Sequence, residues 1–327
     1  MLGSPEKIVL LELGPGRGLF AQDVLDWSRK KFPEFFDALH YALAESSPAL
    51  RQRLEVTLER HVEAGKASLC PPDEGLGTYL SALRGNDSQE GSHAHADCEP
   101  APVPVIVFAN EFFDALPVEV ISSQGELRID AYHGQFVETW APASRQELEF
   151  LDRYSIHPDQ GERVEAQLIA QQYMSFITKA PKRGFLLVID YGYTRDEQLA
   201  GRHRGTITAF RQHSVSADPY EAPGEQDITA HVNFTALSAV AERNGMEVQK
   251  LLTQSQLLMG IGETNQFADA FEECRLPQER AKVALQLKHL VTPAGMGESF
   301  HVLLASKGVD EAMVAKLSGM SFTKAQL

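Results

Sequence analysis

The stretch KIVLLELGPGRGLF, residues 7–20, decides how this chain is read. Residues 8–13 are apolar save Glu12, the pattern of a strand buried on both faces. Gly14-Pro15-Gly16-Arg17-Gly18 reads as a tight turn, and helical spacing begins at Leu19. A strand, a glycine turn and a helix N-terminus bring free backbone N–H groups to one point. Glycines there let the backbone come close to a ligand, because no Cβ intervenes.

The spacing narrows the class. A dinucleotide fingerprint is G-x-G-x-x-G, whereas the glycines here fall at 14, 16 and 18. A P-loop needs a Lys followed by Ser or Thr, and none follows. An acid two residues before G-x-G-x-G, Glu12 ahead of Gly14, Pro15, Gly16 and Gly18, resembles the first motif of class I S-adenosylmethionine (SAM) methyltransferases. The alternative is a glycine turn that binds nothing.

The 327 residues suffice for one large α/β domain with insertions or for two small ones, and 43% hydrophobic content supports a substantial core. No apolar run approaches the ~20 residues of a membrane span. The opening MLGSPEK resembles neither a signal peptide nor an Arg-rich transit peptide. Cys70, Cys98 and Cys274 share no metal or disulfide spacing, which points to a reducing compartment. A net charge of −15 disfavours broad nucleic-acid binding and tolerates a basic protein substrate.

A helix is expected from Leu19 to residue 30, with Arg29-Lys30-Lys31 suiting its C-terminal dipole and Pro33 breaking it. Residues 40–44 read as the second strand, ended by Glu45. In a doubly wound sheet an acid at that position accepts both ribose hydroxyls of an adenosyl ligand. The competing role is capping the next helix, which Ser46 or Ser47 could equally fill. Residues 66–70 suggest a third strand. Residues 71–102 lack periodicity and read as a polar loop whose His93, His95 and Cys98 lack a fourth metal ligand.

Residues 103–109 form the fourth strand, beside the first, so Asn110, Glu111 and Asp114 fall at the crevice end. Polar groups there, followed by Phe112 and Phe113, suit methyl transfer: the acceptor must be held in line and its charge matched. The plainer reading has Asn110 and Asp114 capping a turn with both rings packed beneath. Residues 118–140 alternate as a β-meander, 162–180 as an amphipathic helix, and 184–191 as a buried fifth strand ending at Asp190. Arg204, His213, Asp227, Thr229, His231 and Asn233 are candidate pocket residues between apolar ones. A helix is expected over 234–244, a strand over 246–253, mostly helix over 255–295 and a final strand over 300–306.

GPGRG, AESSPALR (43–51 region) and ANEFFDALPVEV (109–120) together resemble the MidA-type methyltransferases. LLVIDYGY (186–193), HRGTITAFRQHS (203–214), DPYEAPGEQDITAHVNF (218–234) and PAGMGESFHVLLASKG (293–308) extend the resemblance over about residues 6–308. It implies an α/β class I SAM methyltransferase, a Rossmann-like seven-stranded sheet with a β-rich insertion and a helical insertion. The division expected is a core of 1–117, 182–254 and 298–308, an acceptor-side insertion at 118–181, a helical insertion at 255–297 and a tail at 309–327. Members of the family carry a segment with a GDF-I-T-type stretch before the first strand. This sequence starts almost at that strand, as a truncated gene model or a natural short form would, which bears on activity if that segment shapes the SAM or substrate pocket.

The mitochondrial members imply protein arginine N-methylation of a respiratory complex I-type subunit. The cofactor expected is SAM, with no metal. Its site would be Glu12, Gly14, Pro15, Gly16, Gly18, Glu45, Ser46 and Asn110. The catalytic candidates are Glu111, Asp114, Asn110, Asp190 and His231. A protein substrate, no nucleic acid, no membrane insertion and a homodimer are the partner expectations, in bacterial cytoplasm or mitochondrial matrix according to source. The rival reading is a non-catalytic assembly scaffold that keeps the SAM-binding fold.

Overall fold

The computed structural model describes residues 2–71, 79–80, 102–211, 214–216 and 218–322. His93, His95, Cys98 and His213 lie outside them. The first stretch folds as its pattern dictates: β1 (Ile8–Leu13) leads through the glycine turn into helix Leu19–Lys31. Next come β2 (Leu39–Ala44), β3 (Ala67–Leu69) and β4 (Val105–Asn110). A second set follows: β5 (Glu119–Ser122), β6 (Gly125–Tyr132), β7 (Gln135–Ala141) and β8 (Arg163–Ala166). The long β9 (Gly184–Tyr193) precedes β10 (Thr208–Arg211), β11 (Ser214–Ser216), β12 (Asp227–Thr229) and β13 (Val232–Asn233). The chain ends its strands with β14 (Glu247–Val248), β15 (Leu252–Thr253) and β16 (Phe300–Lys307).

The central sheet runs β14-β16-β9-β4-β1-β2-β3, seven strands on one path, with β13 added to β9 and β15 to β16. β3, β2, β1, β4 and β9 are mutually parallel, and β16 is antiparallel to β9. The order reverses between β1 and β4, so a crevice opens outside their carboxyl ends. Both faces are covered, as the near-continuous apolar strands require. Val9, Leu11 and Leu13 of β1 pack with Met174, Ile177, Phe234 and Leu237. Ile8 packs on the other face with Leu25, Tyr41 and Leu54. The pleat therefore puts Glu12 on the face of helix Leu19–Lys31.

Several local expectations change. Pro33 ends one helix and opens another, Pro33–Ala38, because a proline at the first helical position forfeits no bond. Residues 163–166, expected as helix, form β8 and pair with β5, a partner some 40 residues earlier that no local pattern reveals. The helix proper is Leu168–Lys179, which packs on the central sheet. Helix Arg145–Tyr154 has no counterpart in the sequence reading, although its capping box, Ser144 with Glu147, was there to be read. The strand expected over 246–253 is split into β14 and β15, both antiparallel to β16. Beyond residue 309 comes the short helix Glu311–Val314. No helix among the described residues is long and apolar enough to cross a membrane.

Candidate active site

The glycine turn depends on backbone angles that side chains resist. Gly14, Gly16 and Gly18 have φ of 61°, 55° and 76°. Gly14 N donates to Ala44 O at 3.0 Å, which holds the turn level with the end of β2. A Cβ on Gly14 would meet Phe112 at 3.0 Å, and one on Gly18 would meet Leu54 at 2.6 Å. A Cβ on Gly16 would meet nothing within 4 Å. Gly18 also caps helix Leu19–Lys31 without any side-chain bond, so no cap side chain covers the helix N-terminus. Pro15 is buried, and its carbonyl accepts from Gly18 N at 2.9 Å.

Glu45 leaves the end of β2 beside this turn. Its Oε1 accepts from Ser47 N at 2.8 Å, and its carbonyl accepts from Arg51. The helix cap proper is Ser47, whose hydroxyl accepts from Leu50 N at 3.4 Å. Ser46 is exposed. Glu12 is buried on β1, where Tyr41 donates to Oε2 at 2.8 Å. Burial pushes its carboxyl up to about 7, opposed by that hydrogen bond.

The segment after β4 closes over the crevice. Glu111 N continues the ladder by donating to Ile189 O at 3.0 Å, and φ then turns to +47°. A left-handed glutamate is a strained element, and such strain clusters at functional sites. Asn110 is exposed and donates to Glu111 Oε1 at 3.4 Å. Desolvation first, and then Asp114, raise the Glu111 carboxyl above its ordinary range, with the Asn110 bond opposing them. Phe112 lies against Gly14 and packs edge-on to Phe113 and Tyr173.

Asp190 is fully buried, and its contacts are backbone amides. Oδ2 accepts from Phe113 N at 3.0 Å and Asp114 N at 3.2 Å, and Oδ1 from Tyr191 N at 3.0 Å. It clamps the post-β4 segment to the end of β9. Burial, then the neighbouring Asp114, push its carboxyl up to about 8. Asp114, also buried, accepts from the Tyr191 hydroxyl through Oδ2, while Oδ1 has no hydrogen-bond partner among the described residues. Its carboxyl is raised by desolvation, and the Tyr191 bond opposes the shift.

His231 follows β12. Its ring stands edge-on to Tyr191 with centroids 5.4 Å apart, and its Nδ1 lies 3.0 Å from His203 Nδ1. Desolvation, then His203, bring it down to about 4, so it is neutral near pH 7. Beside it is a cavity of about 390 Å³, lined by Tyr191, His203, Thr229, His231, Phe300 and Glu298 among others.

The structure thus gathers Gly14–Gly18, Glu45, Asn110, Glu111 and Asp114 at the carboxyl ends of β1, β2 and β4. Asp114, Glu12 and Asp190 are buried there, underneath rather than facing out. Asn233 is a buried cap, accepting from Ala236 N at 2.9 Å, and Arg204 pairs with Glu162. Both were candidate pocket residues and both have structural partners instead. Tyr191, His203, Phe300 and His301 were missed. Only the aromatic end of the fifth strand hinted at Tyr191. Among the described residues no group of three or more His, Cys, Asp or Glu side chains could hold a metal ion.

Residues 1–252 match a family described as S-adenosyl-L-methionine-dependent methyltransferases. The chain is 26% identical over 343 residues to the mitochondrial protein arginine methyltransferase NDUFAF7 homolog of Drosophila melanogaster, covering 98% of this chain and 72% of that protein. It is 28% identical over 336 residues to mitochondrial protein arginine methyltransferase NDUFAF7 of Danio rerio, covering 91% and 68%. Among solved structures, an uncharacterized superfamily protein of Burkholderia thailandensis matches with a TM-score of 0.75 at 25% identity, over 98% of this chain and 78% of that one. A further Burkholderia thailandensis superfamily member, bound to S-adenosyl-homocysteine, matches in fold with a TM-score of 0.72 at 24% identity, over 98% and 76%.

Proposed function

This chain belongs to the S-adenosyl-L-methionine-dependent methyltransferase family, and from that premise we propose that its acceptor is an arginine side chain of a protein. The relatives' printed activity supports the acceptor class. The observation that carries the reading is Asp114. A buried carboxylate with one oxygen bound by Tyr191 and the other without a partner among the described residues suits a donor brought by the substrate.

The residues present fit the cofactor. The open space at the Gly16 Cβ position allows close backbone approach, and Glu45 offers a carboxylate at the level of the turn. Gly14 to Gly18 would hold the amino-acid end and Glu45 the ribose hydroxyls. Bound SAM supplies an electrophilic methyl group on a sulfonium sulfur.

A guanidinium is charged at neutral pH and presents its N–H groups as a planar fork. Glu111 and Asp114 accept those groups and match the charge. Their raised pKa values fall back toward the ordinary range as the cation arrives, because an opposite charge favours the ionised form. The nitrogen that gains the methyl releases a proton, which the same carboxylate pair, ionised beside the cation, takes up. Asp190 takes no part in that exchange and holds the backbone of the segment instead. We extend the reading to a respiratory complex I-type subunit as substrate, and to the mitochondrial matrix for a eukaryotic source.

The test is incubation of the full chain with isotopically labelled SAM and fractionated extract of the source cell, followed by mass spectrometry of labelled peptides. Mono- or dimethylarginine is the expected product. Label confined to other residue types would overturn the arginine reading.

A further inference from the structure

The cavity behind Tyr191 belongs to neither the glycine turn nor the Glu45 end of the site. None of its lining residues comes from either. At about 390 Å³ it lies within the range of small-ligand pockets, roughly 300–1,000 Å³. Tyr191 joins it to the carboxylates: the hydroxyl donates to Asp114, and the ring forms a wall of the cavity.

The lining is aromatic, with acids at its edge. Phe300 and His231 each stand edge-on to Tyr191, both with centroids 5.4 Å away. Glu298 is exposed at the lining. Glu197 uses Oε2 to accept from Thr194 N and Oγ1, capping its own helix, and lies 3.6 Å from His301 Nε2. His301 is 9% exposed, and its Nδ1 is a buried ring nitrogen with no partner among the described residues. Burial keeps His203, His231 and His301 toward the neutral form, so they add little positive charge. Among the described residues Arg202 is the one cation in the lining, against two carboxylates.

The strands β10 and β12 extend this wall outward. Thr208 pairs with Thr229 and Phe210 with Asp227, and directly opposed residues share a face. Thr208, Thr229 and Phe210 line the cavity. Asp227 is exposed, and so is Val215, which is paired to Phe210 from β11. A strip thus leads from Tyr191 to an exposed sheet face carrying an acid and an apolar side chain.

We propose that this cavity is a substrate subsite beside the carboxylates: it receives a second basic side chain of the substrate, its cation over the ring of Tyr191, while the flanking peptide lies across the β10–β12 face. The inference rests on the arginine reading and adds where the substrate lies. A cation over an aromatic face is attracted by the ring quadrupole, and Glu197 and Glu298 supply the opposite charge. The neutral histidines supply ring edges and hydrogen-bonding nitrogens without repelling it.

The experiment uses the full chain and butylguanidinium as probe, with butylurea as the neutral control, and follows histidine ring signals by NMR. Butylguanidinium should shift the His203 and His231 signals, and butylurea should not. Glu298→Gln should weaken binding about fivefold, the scale of one partly exposed charge contact. Ser299→Trp, at an exposed lining position, should abolish binding while SAM affinity persists. Absent shifts, or equal shifts from both probes, overturn the subsite and leave the arginine reading to its own product analysis.

Discussion

The Tyr191 hydroxyl donates to Asp114 Oδ2, and Asp114 Oδ1 is left without a partner among the described residues. One residue at the end of β9 therefore orients a carboxylate on the segment after β4. Tyr191→Phe should lower kcat on the order of 10²-fold through misplacement of that carboxylate. SAM affinity should stay within about twofold, a change well under 1.4 kcal/mol. Steady-state kinetics with calorimetric titration separates the two, and equal losses in both would overturn the assignment.

The glycine turn offers a paired test. Gly16→Ala meets no protein atom and adds only the cost of a left-handed alanine, about 1 kcal/mol. It should melt near the wild type yet bind SAM at least about tenfold more weakly. Gly18→Ala would drive a Cβ to 2.6 Å from Leu54 and should lower stability by about 1–3 kcal/mol. Thermal melts and calorimetry check both.

Glu45→Ala should weaken SAM binding about 10- to 100-fold, the scale of charge-assisted hydrogen bonds to a ligand. Glu45→Gln, which can still accept from Ser47 N, should recover the fold but only part of the affinity. Unchanged affinity in the alanine variant would leave Glu45 as a turn residue alone.

Glu12 sets a pH dependence. Its carboxyl is raised from 4.5 to about 7, so the folded state holds the proton more tightly. Its contribution to stability is full below about pH 4.5 and is lost as pH rises through about 7. Glu12→Gln should flatten that part of the profile and raise stability at pH 8, by at most about 3 kcal/mol. Denaturant melts of both proteins across pH 4–8 measure the difference, and parallel profiles would refute it.

Asp190→Leu removes the acceptor for three buried amides and should cost about 2–4 kcal/mol. Asp190→Asn should cost less, since its amide oxygen still accepts. Hydrogen exchange at Phe113 and Asp114 should speed up in both. Loss of turnover with exchange unchanged would instead make Asp190 a direct participant.

Much of the fold was legible in short stretches. Residues 8–13 and 184–191 are apolar enough to be buried strands, and 14–18 can only be a turn. The misreadings have a common physical cause. Val164 and Ala166 face a core built with Ile121 and Phe150, so their strand state comes from a partner distant in sequence. Proline at residue 33 carries opposite signals for the helix before it and the helix after it.

The strand–turn–helix opening, the acid after β2 and the polar segment after β4 are each a local pattern of residue types, and so can be read from the chain alone. Which of the buried carboxylates has its oxygens filled depends on tertiary contacts. Asp114 and Asp190 look alike in sequence and both are buried, yet one keeps an oxygen without a partner among the described residues and the other is filled by three amides. Tertiary structure also brought His203, His231, Tyr191 and Phe300 around one cavity, from positions up to 109 residues apart. Such neighbours are set by how strands pair and by which faces the pleat turns inward, and no window of sequence contains both partners.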